Sequence, residues 1–276
     1  MKNIVKNLAF AFAIAAVAPA HALVITQNTN ANALAAAVTS GTSGLTVTGA
    51  TLSGNTLGAA SSSGTYTNAS NTYGIGSGIV LSSGNVSNYG DGPNISSGTT
   101  TSYGTNGTVA QQALLQPLQN GNFALDVTQL DVTFNSATGS VFFLVVFGSE
   151  EFAEFVGSSF IDGFGLFLNG VNIALTGGFP VNINHPAFAF LGGTELDGIL
   201  APGGNPVLLF SGAANPTGNT LTFIIGDAAD GALDTTAYIA SLGGVNPVNP
   251  IPEPASLALL GIGLAGLVAM RRRKTA

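Results

Sequence analysis

The sequence predicts a mainly β protein: an antiparallel, jelly-roll-like β-sandwich with one short N-terminal helix, carried between an N-terminal signal peptide and a C-terminal transmembrane helix. Three observations carry this prediction. Short apolar runs recur between clusters of Gly, Asn and Ser, the pattern of many short strands joined by turns. Glycine reaches 38 of 276 residues, far too aperiodic for a collagen. Hydrophobic residues make up 46%, enough Val, Ile, Leu and Phe to fill a core. The chain has no Cys, which excludes a disulfide framework, a thiol nucleophile and Cys-ligated zinc or iron–sulfur sites.

Taken in order, residues 1–22 combine Lys2 and Lys6, the apolar run Leu8–Val17 and a small-x-small end at Ala20-His21-Ala22. That is the form of a secretory signal peptide, with the mature chain expected to begin at Leu23. Asn32–Val38 is Ala- and Leu-rich, stops at Thr-Ser-Gly41, and predicts the one soluble helix. Strands are expected at Leu45–Leu52, Gly78–Ser82, Leu130–Phe134, Val141–Phe147, Phe164–Leu168, Val207–Phe210, Leu221–Ile225 and Ala237–Leu242. Val141–Phe147 is apolar throughout and predicts a strand buried on both faces, whereas Leu130-Asp-Val-Thr-Phe134 alternates and predicts a half-buried one. Gly54–Asn122, rich in Ser, Thr, Gly and Asn but carrying Tyr66, Tyr73, Tyr89 and Tyr103, reads as long surface loops tied to the sandwich. Residues 23–246 thus form one domain.

Charge is distributed unevenly. All 6 basic residues lie at the ends, and none falls between Ala22 and Met270, whereas all 13 acidic residues fall between Asp91 and Glu253. A purely anionic domain repels phosphate and releases no counterions from nucleic acid, so nucleic-acid binding is excluded and a cation is the natural small partner.

After a Pro-rich stalk, residues 247–254, come the apolar segment 255–270 and the basic tail 271–276. Sixteen helical residues rise about 24 Å, a minimal span that snorkelling arginines extend towards the ~30 Å hydrocarbon core. Arg271, Arg272 and Arg273 fix this tail in the cytoplasm and place the anionic domain outside, as the signal peptide also requires. The Gly261-Ile-Gly263-Leu-Ala-Gly266 sequence follows no strand and lies in this span, so it is no dinucleotide site. Pro252-Glu253-Pro254, a short membrane helix and an Arg-rich tail together resemble the PEP-CTERM sorting signal of Gram-negative bacteria. The resemblance implies processing by an exosortase after transient inner-membrane anchoring, a final place at the cell surface or in the extracellular matrix, and an association with exopolysaccharide and biofilm.

A second resemblance covers most of the mature domain. Phe147-Gly-Ser-Glu-Glu-Phe-Ala-Glu-Phe-Val-Gly157, Phe160-Ile-Asp162-Gly-Phe-Gly-Leu-Phe-Leu168 and Asn172-Ile-Ala174 resemble the hallmark of the choice-of-anchor L domain. That family shows F-A-S-E-E-Y-x-E-Y-V, F-N-D-x-F-G-F-F-L and N-I-A. Leu221–Ile239 resembles its closing segment and Gly78–Gly84 its early one. Gly148 replaces the usual Ala, Phe both Tyr, and Ile161 the Asn; every carboxylate of the pattern is kept. The family shares one extracellular domain among different anchors, so the resemblance implies location more than activity.

Glu150, Glu151, Glu154 and Asp162 follow one strand, and Asp227, Asp230 and Asp234 follow another. With no basic residue nearby they repel one another unless solvent or a cation relieves them. Calcium, which takes six to eight oxygens from irregular loops, fits that need, and Glu150, Glu151, Asp162, Asp227, Asp230 and Asp234 are its candidate ligands; solvated loop acids remain the other reading. His185, in Asn184-His-Pro, reads as a loop histidine rather than a triad member. Glu150 and Glu151 alternate in direction on an extended chain, poor geometry for a glycosidase pair. The expected role is therefore non-enzymatic, structural or adhesive in exopolysaccharide or biofilm, the alternative being a carbohydrate-binding or carbohydrate-processing module.

Overall fold

The computed structural model describes residues 23–39 and 44–247. The signal peptide, the sorting motif and the membrane helix fall outside the described residues. Among the described residues no helix is long and apolar enough to cross a membrane.

Two antiparallel sheets face one another. The first has eight strands. Leu23–Gln27, Ser63–Asn68, Gly78–Ser82, Thr235–Gly243, Ser140–Ser149, Gly198–Leu200 and Phe188–Ala189 pair in that order, and Leu208–Ala213 also pairs with Ser140–Ser149. The second has seven, ordered Leu175–Thr176, Phe179–Asn182, Gly163–Leu168, Asn219–Ala228, Ala124–Ser136 and Leu45–Ser53, with Val171–Asn172 returning on Gly163–Leu168. All eight expected strands are present, each extended by at most a few residues except Leu130–Phe134, which is the centre of a much longer strand.

The alternation of side chains along each strand produces three apolar layers. Between the sheets, Ile79, Leu81, Phe143, Val145, Phe147 and Ile239 meet Leu130, Val132, Phe134, Phe164, Leu166 and Phe223. The intervening residues of the first sheet, Val80, Leu144, Val146 and Tyr238, face outward but are covered by Ile75, Val86, Tyr89 and Leu196 from loops. Tyr238 donates its hydroxyl to the Tyr89 carbonyl at 2.6 Å beneath that cover. On the outer face of the second sheet, Ile224 and Phe167 pack under Leu115 and Leu118. The unbroken apolar run at Val141–Phe147 is thus explained by two layers, one on each face.

Two elements depart from the sequence expectation. The single-helix expectation is corrected by a second helix, Val109–Leu115, which begins with a reciprocal capping box between Thr108 and Gln111. The T-x-x-Q signature is present in the sequence, but the Ser/Thr/Gly-rich surroundings masked it. The surface-loop expectation for Gly54–Asn122 is also corrected, because this stretch supplies the Ser63–Asn68 strand and that helix, and it buries Tyr66 and Tyr89. The expected first helix is present as Ala31–Val38, capped by Asn30, whose side chain accepts from the Ala33 amide at 3.0 Å.

Candidate functional site

The strand ends of both sheets deliver acidic side chains to one edge of the sandwich. Glu150 and Glu151 follow directly on Ser140–Ser149, and Asp234 directly precedes Thr235–Gly243; the Glu150 amide donates to the Asp234 carbonyl at 3.0 Å. From the second sheet come Asp162, just before Gly163–Leu168, and Asp227, where the pairing of Asn219–Ala228 with Ala124–Ser136 shifts register. Asp126 joins them from Ala124–Ser136, with φ at 47°. All six are buried, none more than 1% exposed.

Glu154, by contrast, is exposed, and Asp230 stands half-buried at the rim. Asp126 was not anticipated, because the expected strand began only at Leu130, whereas the observed one starts at Ala124. His185 is buried with its Nε2 3.0 Å from the Thr176 carbonyl and its Nδ1 accepting from the Ala187 amide at 3.1 Å, so both ring nitrogens serve the backbone.

The six carboxylates divide by what satisfies them. The loop Thr99–Thr105 is strung over three of them. Thr99 donates its amide to Glu150 Oε2 at 3.3 Å, and Thr101 to Asp234 Oδ1 at 3.0 Å. Tyr103 and Thr105 donate theirs to Asp126 at 2.8 and 2.7 Å. Tyr89 adds its hydroxyl to Asp234 Oδ2 at 3.0 Å. A Cβ on Gly84 would stand 1.7 Å from that same oxygen, so the Asp234 carboxylate rests directly on glycine backbone.

The other three, Glu151, Asp162 and Asp227, are less well supplied: the Asp162 amide serves Glu151, and, like Glu150 Oε1, each keeps at least one oxygen unpartnered. Asp162 Oδ1 accepts from the Ala228 amide at 2.9 Å, but its Oδ2, Glu151 Oε2 and both oxygens of Asp227 have no hydrogen-bond partner. Ser83 lies beside Asp227, its hydroxyl oxygen accepting from the Thr235 amide at 2.9 Å and its proton opposing the rise at Asp227.

Burial without countercharge raises the proton affinities of Glu150, Glu151, Asp162, Asp227 and Asp234. Glu150 is pushed up from 4.5 to about 9 by desolvation and then by the charge of Asp197, against the Thr99 amide. Glu151 is likewise pushed up to about 9, by desolvation and then by Asp227 and Asp230. Asp162 and Asp227 are raised by desolvation and by neighbouring charge, Glu151 for Asp162 and Asp162 for Asp227. Desolvation carries Asp234 to about 6, even though the Thr101 amide and Tyr89 hydroxyl oppose it. The folded state therefore holds protons that the unfolded chain releases. The stability these groups contribute is complete below pH 3.8 for the aspartates and 4.5 for the glutamates, and is lost as pH rises towards 9, by up to about 1.4 kcal/mol per pH unit for each titrating group. Thermal melts in chelator are expected to show a midpoint falling steadily from pH 5 to pH 9; a midpoint flat over that range would show these carboxylates to be solvated.

A second feature lies beside this edge. Ser97, Phe152, Ala153, Glu154, Phe190 and Asp197 line a surface cavity of about 460 Å³. Phe152 and Phe190 meet edge to face at 4.9 Å, and Phe190 is 74% exposed. Burial raises Asp197, with Asn94 hydrogen-bonded to it in opposition.

Comparison with known proteins places these features in a family. The model of the PEP-CTERM protein-sorting motif matches residues 250–274, which contain Pro252-Glu253-Pro254 and the arginine tail. This motif implies exosortase-dependent sorting of an exported protein with a surface or extracellular location in a Gram-negative bacterium. No curated protein and no solved structure gives a significant match. The model of the choice-of-anchor L domain matches residues 23–186, which hold Glu150, Glu151 and Asp162 and stop short of Asp227. Neither match is to an enzyme family. Since the domain match covers more than half of the chain and includes the Glu-Glu and Asp162 segments at the acidic edge, the protein belongs to the choice-of-anchor L family.

Proposed function

We propose that this exported domain has a structural and adhesive role in the exopolysaccharide of its producer. The observation that carries this reading is the cavity at Phe152 and Phe190. Its aromatic faces suit the apolar C–H face of a sugar ring, and the carboxylates of Glu154 and Asp197 suit its hydroxyls. With no Lys or Arg in the domain, the cavity favours neutral or amino sugars over acidic ones. The same two carboxylates are the reason to keep the carbohydrate-processing reading as the alternative.

The test is binding of the exported protein to the producer's own purified polysaccharide, with released reducing ends assayed in parallel. Wild type is expected to sediment with the polysaccharide and release nothing. Phe190→Ala is expected to weaken binding about tenfold, the order of a lost aromatic contact, with an unchanged melting temperature because the ring is exposed. Wild type that fails to bind overturns the adhesive role, and sugar release transfers the assignment to processing.

A further inference from the structure

We propose that Glu151, Asp162 and Asp227 form a calcium site that fastens the two sheets together at their acidic edge. This inference is independent of the sugar-binding reading. An acidic cluster alone is no site; here, however, Asp227 is 1% exposed with neither oxygen hydrogen-bonded, and Asp162, fully buried, has Oδ2 unpartnered. Glu151 Oε2 makes a third such oxygen. A neutral oxygen stands close by: Gln119 donates its amide to the Gly226 carbonyl, next to Asp227, at 2.8 Å, while its own Oε1 is buried and unpartnered. Gln119 Cγ also lies 3.5 Å from where a Cβ on Gly163, next to Asp162, would stand.

The three carboxylates come from both sheets, so an ion held among them ties the sheets together. The neighbouring Asp234 and Asp126 are satisfied by the Thr99–Thr105 loop, whereas Glu150 gives that loop only Oε2 and keeps Oε1 unpartnered at the same edge. Carboxylate and amide oxygens are hard donors of the kind calcium accepts in irregular geometry, and extracellular modules bind it at about 0.1–1 mM. Magnesium demands a near-octahedral shell and gives up water reluctantly, which suits a buried donor set poorly.

Among the described residues no three acidic or histidine side chains are grouped closely enough to hold an ion as they stand. Binding therefore draws the Glu150–Ser159 turn inward with Glu151 at its head.

The exported protein is stripped with chelator and melted with calcium chloride, magnesium chloride or neither. Calcium at a hundredfold excess over its Kd is expected to raise the midpoint by about 5–10 °C, magnesium by less than half of that, and calcium is expected to slow amide exchange in residues 150–159. Asp227→Asn and Glu151→Gln replace a carboxyl that the metal-free fold must hold protonated by a neutral isostere, so in chelator they are expected to melt at or above wild type, and in calcium to lose the shift. The Asp131→Asn variant, outside the cluster, is expected to keep it. The site is overturned if calcium produces no shift, if magnesium matches it, or if Asp227→Asn and Glu151→Gln retain it or lower the midpoint equally with and without calcium.

Discussion

Glu253→Gln is expected to leave the chain membrane-bound with its C-terminus intact, whereas the wild type is expected to lose Ala255–Ala276 and to reach the surface or medium. The argument is one of discrimination. Glu253 is the only charged residue between Asp234 and Arg271, and it stands between Pro252 and Pro254. A recognition site built to pair a carboxylate leaves its own polar groups unsatisfied when only an amide arrives, and such mismatches cost factors of 10⁴ or so. Hydrophobicity of the membrane helix is untouched by the change, so mere insertion predicts no effect. Mass determination of the C-terminus after fractionation decides the matter: normal trimming of Glu253→Gln would falsify recognition through the Pro-Glu-Pro motif.

The second large effect concerns the layer between the sheets. Phe143 is fully buried on the first sheet, stacked on Phe210 of the same sheet at 5.9 Å and edge-on to Phe223 of the opposite sheet at 5.7 Å. Phe143→Ala removes contacts to both sheets at a point where neither can collapse independently, since each strand is held in register by its neighbours. The expected loss is about 3–5 kcal/mol, which lowers the melting midpoint by roughly 10 °C. Phe142, one residue earlier and only half-buried, points to the opposite face and is expected to cost less than half as much on truncation. Equal losses at the two positions, measured by chemical denaturation, contradict the assignment of faces.

Much of the architecture was legible because it rests on short-range pattern. The alternation at Leu130–Phe134, the apolar run at Val141–Phe147 and the Gly/Asn punctuation between runs are properties of neighbouring residues, and they locate strands without knowledge of partners. The sorting motif at the C-terminal end was equally legible, since residue order and charge act there on a single segment. The strand Ser63–Asn68 was not, because its polar composition becomes stable only against layers built elsewhere. Tyr66, for instance, is ordered by an edge-on contact at 5.6 Å with Tyr238.

The acidic edge marks the same division. The sequence by itself determined that the domain has carboxylates and no basic residue to pair with them, and that Glu150–Glu151, Asp162 and Asp227–Asp234 follow core strands. Only the tertiary structure decided which carboxylates receive donors. The Thr99–Thr105 loop crosses more than a hundred residues of chain separation to satisfy Asp234, reaches Asp126 from its other end, and leaves Glu151, Asp162 and Asp227 with oxygens that nothing in the chain pairs. A hydrogen bond acts only over about 3 Å, so its partners are set by the pairing of distant strands and by a register shift at Asp227, neither of which local composition encodes.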